Sequence, residues 1–146
     1  MSDILNGLVF DRTQADIESL TKKAYIDYQD LNRVETAVKW VSYVLNRCGY
    51  KNTTRNKTNW CMNDFRTEKD MERLRSNINS IRSAFYAPVS TPLTPAKITY
   101  TSIWQANAIE QIIYDIGMIA EKIEPGLNHL SFNLGSRGFG NRRVNL

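Results

Sequence analysis

Residues 31–38, LNRVETAV, and residues 106–113, ANAIEQII, share one arrangement: an Asn three places before a Glu, at the start of an amphipathic run. Two such carboxylates could chelate a metal ion, move protons, or hold backbone N–H groups. A di-metal helical bundle adds Glu-x-x-His pairs on its other helices. This chain has a single histidine, His129, which stands just past the last expected helix. Cys48 and Cys61 cannot complete a four-ligand zinc site with one histidine, and buried free thiols are expected. No metal and no cofactor are expected. Catalysis is poorly served too: no histidine lies near a candidate Ser or Cys nucleophile in sequence, and no glycine-rich loop precedes a phosphate-binding helix. The expectation is a protein that is not an enzyme.

Helical geometry constrains the echoed pairs further. At about 100° per residue, the apolar seam around Asn32 and Glu35 centres about 150° from the first and about 90° from the second. Asn107 and Glu110 lie nearly opposite the isoleucines of their own helix, so neither pair is expected to point into the main core. Two readings stay open. One is a solvated helix face; the other is an Asn amide and a Glu carboxylate bonding loop backbone or a neighbouring subunit. An Asn early in a helix is unfavourable unless its side chain finds backbone partners, which tilts the choice to the second.

Elements to hold these residues can be read along the chain. Thr13-Gln14-Ala15-Asp16 has the form of a helix start and predicts a first helix to about Tyr25. Asp30 can cap a second, whose Leu31, Val34, Val38, Val41, Leu45 and Cys48 alternate three and four apart before Gly49 provides a left-handed exit. Residues 50–66 lack helical period and predict a long loop, extended around Trp60, of a length that is functional or well anchored. Thr67-Glu68-Lys69-Asp70 opens a third helix along Met71, Leu74, Ile78, Ile81 and Phe85. Pro88, Pro92 and Pro95 then deny helix from about Ala87 to Lys97. Ser102-Ile103-Trp104-Gln105 starts a fourth, along Ile109, Ile112, Ile113, Ile116, Ile119, Ala120 and Ile123, with Pro125-Gly126 as its stop. The expected fold is all-α: a compact bundle of about four helices over residues 13–126, an extended N-terminal arm (1–12), and a Gly/Arg-rich C-terminal arm (127–146).

A chain of 146 residues, 42% hydrophobic and 23% charged, has enough apolar material for one soluble domain with a real core. Its net charge of +4 is uneven. All acids lie at or before Glu124, and Arg137, Arg142 and Arg143 stand unopposed in the tail. Nucleic acid is therefore a weak expectation, limited to this arm and to Lys51, Arg55 and Lys57 in the long loop. No apolar run is long enough to cross a membrane, and MSDILNGLVF lacks the pattern of a secretion signal, so synthesis in the cytoplasm is expected.

Trp40 and Tyr43 project away from the seam of the second helix, and Tyr114 and Gly117 stand opposite the isoleucines of the fourth. Helices with apolar groups all round are central in a domain or covered by another chain. The cover is either the chain's own loop or N-terminal segment, or a neighbouring subunit. In the tail, Phe132 and Phe139 with Arg137, Arg142 and Arg143 form a candidate docking arm.

Taken in order, DRTQADIESL, YQDLNRVETAVKWV, Trp60-x-Met62-x-Asp64-Phe65, the third seam with its proline-rich crossing, and ANAIEQIIYDI resemble small helical minor structural or tail-associated proteins of phages and prophages of Gram-positive bacteria. The likeness covers roughly residues 8 to 123 and carries over no catalytic residue. It implies a virion component made in the host bacterial cytoplasm, in the tail, baseplate or fibre-attachment region, oligomeric within an assembly and partnered by other phage structural proteins. The Gly-Arg tail departs from that pattern.

Overall fold

The computed structural model describes residues 3–20 and 26–137, with side chains for residues 4–20 and 26–123. Five helices occur among them: α1 (Asp3–Asn6), α2 (Gln14–Glu18), α3 (Tyr28–Arg47), α4 (Glu68–Ala84) and α5 (Ile103–Arg137). The described residues contain no strand, and α3 packs against both α4 and α5, giving an all-α bundle.

The three long helices run in the same direction. Early residues of α3 meet early residues of its neighbours, Glu35 with Arg73 of α4 and Arg33 with Glu110 of α5, while Val41 sits beside Gly117 further along. Parallel helices cannot be joined by tight turns. A helix as long as α3 is about 30 Å, and an extended chain covers about 3.3 Å per residue, so about nine extended residues bring the chain back. Residues 50–66 and 86–102 make these returns. Residues 4–12 lie antiparallel to α3 and α5 in the same way, with Leu5 beside Gly117, Val9 at Glu110 and Arg12 at Asn107. We call these three segments straps.

The helices begin in a common register. Asp27, Thr67 and Ser102 precede them, and residues four, seven, eleven and fourteen places later are buried in every case: Leu31, Val34, Val38, Val41; Met71, Leu74, Ile78, Ile81; Ala106, Ile109, Ile113, Ile116. Asp27 accepts from the N–H of Gln29 and Asp30 at 3.0 and 3.1 Å, and the Asp30 carboxylate accepts from Asp27 N at 3.0 Å. Thr67 and Asp70 repeat this box on α4. Gln105, at the equivalent place, reaches back to Tyr100 N at 2.8 Å. The apolar seams converge on one core, which Leu5, Leu8, Trp60, Ile98 and Tyr100 from the straps complete.

Four boundaries differ from expectation. The cap of α3 is Asp27, because the Asp27–Asp30 box satisfies its first N–H groups three residues before the place predicted. The first predicted helix is only the short α2, which buries no residue; without an apolar face to pack, a few turns cannot hold themselves. Residues 21–25 lie outside the described residues. The N-terminal segment is not a free extended arm: it contains α1 and inserts the fully buried Leu5 into the bundle. Finally, α5 runs through Pro125-Gly126 and His129 to Arg137, since a proline removes one backbone bond and the bonds on either side carry the helix on. Of the expected C-terminal arm, residues 127–137 are thus helical and residues 138–146 lie outside the described residues.

Candidate functional site

An extended strap has no ladder partner, so its buried N–H and C=O groups need side-chain partners. The echoed Asn and Glu supply them. On α5, Asn107 Oδ1 accepts from Arg12 N at 3.1 Å and Asn107 Nδ2 donates to Arg12 O at 2.9 Å, so one amide holds both backbone groups of one residue. Glu110 Oε1 accepts from Val9 N at 2.8 Å and Arg33 Nε at 2.9 Å. Its Oε2 accepts from Arg12 Nη2 at 2.8 Å and Arg33 Nη2 at 2.9 Å.

The second clamp repeats the first group for group. On α3, Asn32 Oδ1 accepts from Trp60 N at 2.7 Å and Asn32 Nδ2 donates to Trp60 O at 3.0 Å. Glu35 Oε1 accepts from Lys57 N at 2.9 Å and from Arg73 Nη1, and Oε2 from Trp60 Nε1 at 2.7 Å and Arg73 Nη2 at 3.1 Å. In both clamps the strap N–H bound to Glu lies three residues before the residue bound to Asn. The strap residue at the Asn sends its own side-chain N–H to the second carboxylate oxygen. The adjacent helix contributes an arginine, Arg33 or Arg73, six places after its cap. The indole of Trp60 and the guanidinium of Arg12 therefore do the same job.

The clamps extend along the long strap, where Asn77 holds Arg55 N at 3.0 Å and Arg55 O at 2.7 Å, and Ser80 donates to Thr53 O at 2.9 Å. Around Pro92 and Pro95 the strap 86–102 is held with opposite polarity. Its prolines have no N–H to give, and α4 offers donors instead: Arg82 Nη1 to Pro92 O at 2.6 Å and Arg75 Nε to Pro95 O at 2.9 Å. Arg75 occupies the place, eight after the cap, that holds Glu35 and Glu110 on the other helices.

Both glutamates are buried, at 0% and 1% exposure, although helical geometry had put them away from the main core. The straps make a second buried face where the wheel predicted an outer one. Each of the four carboxylate oxygens accepts two N–H donors, which fills the usual acceptor capacity of a carboxylate and leaves no lone pair for a cation or a substrate proton. These are structural anions. Burial alone would lower the pKa of Arg33, but its hydrogen bonds and charge contact with Glu110, aided by Asp30, raise it overall. For Arg73 the bonds to Glu35 dominate and the direction is again upward.

Tyr100 lies close to the Glu110 cluster. Its backbone is left-handed, with φ 52°, and its buried hydroxyl has no hydrogen-bond partner. Burial first, and the Glu110 charge second, push its pKa well above the usual tyrosine range against the opposing pull of Arg12, Arg66 and Arg33.

The residues expected at an intermolecular interface separate into groups. Gly117 is interior, since a Cβ there would stand 2.8 Å from Leu5 Cδ1 and 3.1 Å from Val41 Cγ2. Tyr114 is half-buried with its ring centroid 4.9 Å from that of Phe10. The chain's own N-terminal strap packs against both. Trp40 is half-buried against the core, whereas Tyr43 is 57% exposed with Arg47 over its ring. Phe132 and Arg137 fall in the last turns of α5, where only the backbone is described, and Phe139, Arg142 and Arg143 lie outside the described residues. Missed from sequence were Arg12, Arg33, Arg73, Trp60 and Asn77, the partners that complete the clamps. Aligning the three caps would have exposed Arg33 and Arg73 at one shared place.

The most exposed apolar side chains among the described residues sit on two of the straps: Met62 at 79%, Phe65 at 85%, Val89 at 99% and Leu93 at 85%. Neither thiol is buried as expected: Cys61 stands on the same strap as Met62 and is exposed, and Cys48, at the end of α3, is half-buried. No helix of the described residues is long and apolar enough to cross a membrane. No family model, curated protein or solved structure matches this chain.

Proposed function

We propose that this protein is a non-enzymatic structural connector of a phage or phage-tail-like particle, in the tail, baseplate or fibre-attachment region, made in the host bacterial cytoplasm and incorporated into the virion. The particle assignment rests on the residue patterns between residues 8 and 123 quoted above. The connector role rests on one observation: Met62, Phe65, Val89 and Leu93 are all more than three-quarters exposed, on straps whose backbones are hydrogen-bonded to helix side chains nearby, at Trp60 and Pro92. Apolar side chains on a rigid mount lose little freedom when a partner covers them, so a docked subunit gains their burial at small entropic cost. The Gly/Arg-rich tail, with Phe139, Arg142 and Arg143, is proposed as a further contact with other phage structural proteins.

A nucleic-acid role is favoured less, because Lys57 is engaged within the fold, with Nζ 4.3 Å from the Trp60 ring centroid and 3.3 Å from Asp64 Oδ2. Mass spectrometry of purified particles tests the proposal. The chain is expected at fixed copy number, and a Phe65→Ser/Val89→Ser variant is expected to fold but to be left in the lysate. Absence of the chain from particles, or normal incorporation of the variant, overturns it. Salt-dependent binding of the free protein to nucleic acid replaces it with the alternative.

A further inference from the structure

The three long helices share a register but not a length. Counted from the residue before each, α3 ends twenty places on at Arg47, α4 seventeen places on at Ala84, and α5 thirty-five places on at Arg137. Level with the end of α3, α5 has about fifteen residues still to run, an overhang of about 22 Å. The seam that fills the core continues into it. Ile109, Ile113, Ile116 and Ala120 are buried, Ile123 is half-buried, and Leu127, Leu130 and Leu134 follow with the same alternation of three and four. Pro125-Gly126 falls between two seam places and interrupts neither. Both α3 and α4 have ended before these leucines, so no core helix runs beside them.

Charge and space select what covers such a seam. The overhang opens on Glu121, Lys122 and Glu124, which are net negative, and closes on Arg137, with no acid beyond Glu124. A second copy lying antiparallel sets each Arg137 against the other's acidic opening, whereas a parallel copy sets Arg137 against Arg137. Space gives the same direction. An apolar stripe at three-four spacing keeps to one side of a helix, here the side that packs on α3 and α4. A parallel copy would have to thread its own residues 103–122 through that side, which α3 and α4 already fill. An antiparallel copy brings its bundle in from the opposite end.

The geometry points to an antiparallel dimer in which the overhang of α5, residues 123–137, docks on the same segment of a second copy. Leu127 of each copy meets Leu130 of the other, Ile123 meets Leu134, and Arg137 reaches the end that carries Glu121 and Glu124. The contact is isologous, closes on itself and sets two bundles end to end. Four seam places are too few for an isolated pair of helices. Each overhang, however, grows from a folded bundle that already supplies the helix nucleus, so docking has only to join two formed ends. Such a dimer forms whether or not the protein is a particle component.

Analytical ultracentrifugation of the full chain up to ~1 mM reads the association, and disulfide crosslinking reads its direction. Leu130→Asp is expected to weaken the dimer roughly a hundredfold or more, because each dimer loses two seam leucines and gains two buried charges. Phe132→Ser, which lies off the seam, is expected to leave it unchanged. Circular dichroism of dilute samples checks that both variants keep the bundle. For direction, Ile123→Cys chains and Leu134→Cys chains, each also carrying Cys48→Ser and Cys61→Ser, are mixed and oxidised. Antiparallel docking gives the mixed disulfide between positions 123 and 134, since equal positions then stand eleven residues, about 16 Å, apart along the axis. A chain that stays monomeric at the highest concentration, a Leu130→Asp variant that dimerises as well as the parent, a Phe132→Ser variant weakened as much as Leu130→Asp, or disulfides between equal positions overturns the dimer.

Discussion

Replacing Glu110 by Gln tests whether the clamps hold the fold together, and the two clamps predict unequal costs. Glu110 neutralises two arginines, and Arg12 has a side chain only 1% exposed. Gln keeps one carbonyl oxygen but turns an NH2 toward two N–H donors and leaves the guanidinium without its closest counter-charge; Asp30, at 3.9 Å, compensates weakly. Breaking a buried pair from one side costs about 3 to 5 kcal/mol. Glu35→Gln removes an equally buried anion, but Arg73 is 21% exposed and retains Asp70 at 3.8 Å. Water can take back that charge, so the cost should be about 1.5 to 3 kcal/mol, the value of hydrogen bonds to a charged group. Urea unfolding followed by circular dichroism measures both. Adding Arg12→Met to Glu110→Gln should recover part of the loss, with a coupling of about 1 to 3 kcal/mol, because no uncompensated charge is then buried at that position. Equal costs for the two glutamates, or additive effects of Arg12→Met and Glu110→Gln, would refute this account.

Three further outcomes are expected. Gly117→Ala should loosen the N-terminal strap, because its Cβ would meet Leu5 at 2.8 Å; faster amide hydrogen exchange at Val9 and Arg12, with α4 amides unchanged, is the readout. Tyr100→Phe should be neutral or stabilise by up to about 1 kcal/mol, since it deletes a buried hydroxyl that has no partner. The same tyrosine sets an alkaline limit: its folded-state pKa is raised, so its contribution is intact below about pH 10, where an unfolded tyrosine ionises, and is lost as pH rises further. Tyr100→Phe should flatten that decline in melting temperature, and an unchanged alkaline slope would refute the assignment.

What the sequence disclosed follows from the range over which each signal acts. Apolar seams are local, and three-four spacing placed Leu74, Ile78, Ile113 and Ile116 in the core without knowledge of their partners. The Asn and Glu echo was visible for the same reason, and so was the loop it anchors. Its partners were not legible: Arg73 reaches Glu35 across 38 residues and Arg33 reaches Glu110 across 77. The burial of both glutamates escaped a helical wheel because a wheel assigns one inner face, whereas α3 and α5 are covered on another by straps. Gly117 held the clue to the N-terminal strap. A glycine within an apolar helix marks close approach, and the approaching residue was Leu5 rather than a neighbouring subunit.

The reversed polarity of the proline strap has a bearing on how the chain finds its topology. Three helices with one cap register and one apolar spacing offer nearly interchangeable cradles, an invitation to mis-threading. Acceptors at Glu35 and Glu110 reject a segment whose Pro92 and Pro95 have no N–H, and the donors Arg75 and Arg82 reject one that presents N–H groups. A wrongly seated strap would bury an unanswered charge. The alternation of Glu, Arg and Glu at one helical position thus works as an address code, keeping three similar segments from folding into one another's places.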